Sequence, residues 1–108
     1  MNKETDILQK KASQIKIAID MHLRSYRVVR QIDHSTPQPA QKFAPQAFYH
    51  WLEKQRHLAE RVVVCYEAGC FGYEPARRMQ AMGAEVEVIA PQDWDEQGKR
   101  QVNDKFDA

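Results

Sequence analysis

Asp104 and Asp107 stand three residues apart in the closing stretch VNDKFDA, a spacing that puts both carboxylates on one face of any helical turn formed there. Alone, such a pair is ordinary solvated surface. Two further carboxylates change its meaning. Asp20 ends the run IKIAID and Glu67 ends VVVCYE, each at the point where an apolar segment gives way to a turn. The C-terminal edges of strands are where α/β proteins commonly gather ligands. If these two strands are neighbours, the carboxylates face each other across one strand spacing of about 5 Å. They then repel and raise each other's proton affinity unless a cation shares them. Joined by Asp104 and Asp107, they give four oxygen-bearing side chains able to hold one or two Mg²⁺ ions, or Mn²⁺ in their place. A metal pair about 4 Å apart activates a nucleophile and stabilises the leaving oxygen at a phosphodiester.

The rest of the chain must supply strands that bring Asp20 to Glu67. Residues 1–14 are polar, with Ile7 and Leu8 as the apolar anchors, and read as an extension before the core. Ile15, Ile17 and Ile19 alternate as a strand requires, and YRVVRQID across a short polar turn is its expected antiparallel partner. Pro37 and Pro39 limit HSTPQPAQ to a loop or an edge strand. Pro45 opens a helix whose apolar face is expected to hold Phe48, Trp51, Leu52 and Leu58. RVVVCYEAG then reads as a central strand covered on both faces. A second helix follows in GYEPARRMQAMG, with Ala76, Met79 and Met82 on one side and Gly83 as a left-handed stop. AEVEVIAP gives a last strand, parallel to the central one because a helix separates them. The fold class predicted is α/β, a mixed sheet with helices packed on it.

Composition narrows the function classes. With 108 residues, 43% hydrophobic and 29% charged, one compact domain is expected. The net charge of +1 gives no global pull toward nucleic acid or an anionic membrane, so any such partner must be met at a local site. No apolar run approaches the roughly 18 residues of a membrane span, and the polar start lacks a signal peptide's apolar stretch, so the expected location is the cytoplasm. Cys65 and Cys70 match neither a redox nor a zinc spacing and read as reduced thiols. His22, His34, His50 and His57 are scattered and form no ligand pattern.

The segments AIDMH, VCYEAGCFGYEPARRMQAMGAEVEVIAPQDWDEQGKR and VNDKFDA resemble, in order, the N-terminal domain of the DEDD-type insertion-sequence transposases, the family numbered one-ten with its one-eleven-eleven subgroup. The resemblance runs from about Lys16 to Ala108. It implies a ribonuclease H-like fold related to the Holliday-junction resolvases and a Mg²⁺-dependent recombination of DNA. It also implies an RNA guide and a homo-oligomer when the protein is full length. Carried over by position, the four carboxylates of the family fall on Asp20, Glu67, Asp104 and Asp107. Where the family has Lys-Thr-Asp before its last motif, this chain has Val-Asn-Asp. Family members continue into a second domain that supplies a serine nucleophile. Ser13, Ser25 and Ser35 match no part of it, so the chain is expected to be the truncated catalytic half and inactive in isolation.

A rival expectation is a non-catalytic relic, or a regulatory or DNA-inversion relative, that binds nucleic acid or dimerises. An actin-like phosphotransferase is disfavoured, since no glycine-rich phosphate loop follows Asp20. Arg24, Arg27, Arg30, Arg77, Arg78, Lys99 and Arg100 are the basic residues that would meet phosphates near the acidic site.

Overall fold

The computed structural model of the protein describes residues 11–90, which form a five-stranded mixed sheet with two helices. The strands are β1 (Ala12–Met21), β2 (Tyr26–Ile32), β3 (Gln41–Phe43), β4 (Ala59–Glu67) and β5 (Glu85–Ile89), in the spatial order β3-β2-β1-β4-β5. Helix α1 spans Pro45–Leu58 and helix α2 spans Glu74–Ala81. β1 pairs antiparallel with β2, which pairs antiparallel with β3. On its other side β1 runs parallel to β4, and β4 parallel to β5.

Alternation along the strands decides the two faces. Ile15, Ile17 and Ile19 lie level with Val62, Val64 and Tyr66 in the β1–β4 register, and all six are buried. Phe48 and Leu52 of α1 and Ala76 and Met79 of α2 complete this core, so both helices cover the same face. Full burial of a side chain such as Leu52 or Phe48 stabilises by about 2–3 kcal/mol each. Aromatic rings extend the core toward β3: Tyr26 meets Phe48 edge-on at 5.4 Å, and Phe43 meets Trp51 at 5.1 Å.

Several sequence expectations need correction. β1 begins at Ala12 rather than Ile15, because Asp33, at φ 51°, turns its carboxylate onto the Ser13 and Gln14 amides and extends the ladder. Leu58 is 47% exposed, since α1 ends there and the chain turns into β4. The helix instead buries Tyr49 and Gln55 beside Phe48 and Leu52. Gln55 is accommodated because its Oε1 accepts a 2.7 Å hydrogen bond from Arg30 on β2. The strand expected to be central, β4, is indeed an inner one, paired with β1 on one side and β5 on the other, while β1 holds the middle of the order.

Candidate functional site

β1 and β4 end at the same edge of the sheet because they are parallel neighbours. Their last register pair is Ile19 with Tyr66, and the next residue on each strand is the carboxylate, Asp20 or Glu67. Since Ile19 and Tyr66 face the helices, Asp20 and Glu67 both lie on the opposite face, level with each other one strand apart. A cleft of about 500 Å³ opens there, lined by Asp20, Glu67, Arg27, Val29, Gly69 and Phe71 among others. Asp20 is exposed and Glu67 half-buried.

The chain beyond Glu67 turns sharply at this edge. It leaves β4 through a single 3₁₀ turn, Gly69–Phe71, in which the Phe71 and Gly72 amides both donate to the Ala68 carbonyl. Gly69 and Gly72 adopt φ of 49° and 62°, the left-handed region that glycine enters without steric cost. Tyr66, 2% exposed, fixes the turn from beneath: its hydroxyl donates to the Gly72 carbonyl at 2.8 Å and accepts from the Ala76 amide at 3.1 Å. That second bond satisfies an orphan amide in the first turn of α2, whose N-cap Tyr73 makes no side-chain cap. Burial pushes the Tyr66 phenol pKa up, and the Ala76 amide opposes it in part.

Of the residues singled out in the sequence, Asp20 and Glu67 are brought together, whereas Asp104 and Asp107 lie outside the described residues, as do Lys99 and Arg100. One partner went unnoticed: His22 Nε2 lies 3.2 Å from Asp20 Oδ2. Its signal was the two-residue spacing in AIDMH, which returns a side chain to the same side of an extended chain. Among the described residues no group of three or more His, Cys, Asp and Glu side chains is placed to hold a metal. Two carboxylates lining one cleft nevertheless suit Mg²⁺, which keeps several waters and takes one or two carboxylates from the protein.

The basic candidates divide. Arg30 lies on the helix face, bonded to Gln38 and Gln55 and 5.7 Å from the Trp51 ring centroid, so it pins β2 to α1 and is removed from the site. Arg77 pairs with Glu74, and Arg78 stacks 3.7 Å over Tyr49. Arg27 stands directly opposite Asp20 on β2 and lines the cleft. At the other end of the sheet, a second hollow holds Asp33, His34, Glu60 and Arg61, but there Asp33 is committed to backbone amides and Arg61 to Glu85 at 2.6 Å.

Cys65 is a buried thiol in β4. Among the described residues no helix is long and apolar enough to cross a membrane. No family model matches the chain, and no curated protein matches it.

Proposed function

We propose that this chain carries the metal-binding catalytic domain of a ribonuclease H-like transposase or recombinase, acting on DNA phosphodiesters as the DEDD-type insertion-sequence transposases do. The observation that carries the reading is the level placement of Asp20 and Glu67 at the ends of adjacent parallel strands, facing one cleft. The mixed sheet, antiparallel on the β2 side of β1 and parallel on the β4 side, agrees with the fold the resemblance implies.

Asp20 and Glu67 bind the cation, and Mg²⁺ bound there supplies charge stabilisation at the phosphodiester. His22 orients the Asp20 carboxylate through its Oδ2. Asp104 and Asp107 complete the ligand set in this proposal. In support, Ile89 at the end of β5 is the register partner of Glu67, so β5 ends at the same edge of the sheet as the two carboxylates. DNA is the substrate, an RNA is the guide, and the working form is a homo-oligomer.

The test is a Mg²⁺ titration followed by thermal unfolding. At about ten times its Kd, a ligand specific to the folded state stabilises by about 1.4 kcal/mol, which is about 6 °C for a domain of this size. The parent chain is expected to show such a rise and the Asp20→Ala, Glu67→Ala double variant to lose it. An equal rise in both sinks the proposal. A chain that binds DNA with no Mg²⁺ response is the non-catalytic relative instead.

A further inference from the structure

The register that aligns Asp20 with Glu67 continues across the sheet in the other direction. Asp20 is opposite Arg27 on β2, and Arg27 is opposite Lys42 on β3. Because opposed residues share a face, Lys42, Arg27, Asp20 and Glu67 form one row on the face away from the helices. The row is basic on its outer half and acidic on its inner half. Arg27 and Lys42 are both exposed, and among the described residues neither enters an ion pair. That separates them from Arg56, Arg61 and Arg77, each held by a glutamate.

We infer that Arg27 and Lys42 form a phosphate track that seats a single DNA strand and leads it into the Asp20–Glu67 cleft. This inference rests on the proposed function of that cleft, and it identifies which surface holds the substrate. Two cations on adjacent strands lie about 5 Å apart at the backbone, and their long side chains span neighbouring phosphates. The carboxylates repel a polyanion, so the adjoining cations are needed to hold phosphates beside them. The turn between β1 and β2 borders the same end and carries Arg24 and Leu23, the latter 80% exposed and available to lie against a base. Phosphate contacts position a strand without reading its sequence, so the track is indifferent to base identity.

The experiment measures binding of a fluorescein-labelled single-stranded DNA oligonucleotide to the 108-residue chain, by anisotropy at several salt concentrations and without Mg²⁺. Each phosphate contact on a single strand contributes about 0.7 to the slope of log K against log salt. The Arg27→Ala, Lys42→Ala double variant is expected to bind about tenfold more weakly or worse, with the slope reduced by about 1.4. The charge-keeping pair Arg27→Lys, Lys42→Arg should bind as the parent does. Lys54→Ala, on the exposed side of α1, should leave both quantities unchanged. An affinity and slope in the double alanine variant equal to the parent's overturn the track, as does an equal loss in Lys54→Ala or a parent that does not bind the oligonucleotide. The Mg²⁺ titration without DNA reads the carboxylates separately. A double alanine variant that keeps the parent's Mg²⁺ response while losing DNA supports the track. Absence of that response in the parent overturns the metal site and leaves the track's own readout standing.

Discussion

Tyr66 joins the core to the candidate site in a single side chain. Its ring belongs to the same buried core as Ile19 and Met79, while its hydroxyl links the Gly72 carbonyl to the Ala76 amide. Tyr66→Phe keeps the ring and leaves both backbone groups without that partner. It is expected to cost about 1–3 kcal/mol, measurable as a lowered urea midpoint at unchanged m-value. Nothing in VVVCYEAG marks this tyrosine as a helix cap, because the amide it serves is ten positions further on and reached only through the fold. Gln55 was hidden for the same reason: a glutamine on a helix reads as surface until Arg30, 25 positions away, supplies its partner. The strand-end positions of Asp20 and Glu67 were legible because each needs only its own strand to set it, whereas their adjacency depends on β1 pairing with β4. The sorting of Arg27 from Arg30 follows from strand parity, which YRVVRQID contains, but which parity faces the helices depends on pairing with β1.

Of the two described α-helices, α2 is the shorter, at 8 residues against 14, and so has the larger share of its backbone groups at its ends. It finishes at Ala81, and the Gly83 amide donates to the Gln80 carbonyl at 2.9 Å while the backbone turns through φ 102°. A Cβ at Gly83 would meet the Arg56 guanidinium, with Nε at 2.8 Å, but that is the end of a flexible side chain that can swing aside, so the penalty is chiefly the backbone strain at φ 102°. Gly83→Ala should destabilise by about 1–3 kcal/mol, read from thermal unfolding, whereas the same change at Gly69 meets no atom and carries the backbone term alone. Gly83 as a stop was plain from the sequence, since glycine after an apolar helical run has few other uses. The starts of β1 and β4 were not. Ala12 and Ala59 are drawn into strands by pairing with each other, and no local alternation announces it. The excess of Leu58 in the expected helix face has a related origin: periodicity gives an angle around the axis and says nothing of where the helix stops covering the sheet.

At the scale of the whole molecule, two buried phenols set the alkaline limit. Burial pushes the Tyr49 pKa well above its ordinary 10.0, with a hydrogen bond to Tyr26 adding to the effect and Arg78 opposing it, and burial raises Tyr66 likewise. Both stay protonated in the folded state at a pH where the unfolded chain has lost those protons. Their contribution to stability is therefore complete below pH 10 and lost as pH rises past it, by up to about 1.4 kcal/mol per pH unit for each phenol. Urea midpoints should fall above about pH 10, with phenolate absorbance appearing together with unfolding. Tyr49→Phe should flatten the decline. The α/β class and the mixed sheet were legible because apolar alternation and helix-separated strands constrain pairing direction; strand order was less so, since nothing in β3 announces Lys42 as a register partner of Arg27. The parallel contact between β1 and β4 has a temporal consequence. The β1–β2 hairpin closes locally, but Gln14 and Arg61 meet across 47 positions, after β2, β3 and α1 have all been passed. Contacts of such sequence separation form slowly and late. The adjacency of Asp20 and Glu67 therefore depends on this long-range pairing of β1 with β4 and not on the local hairpin.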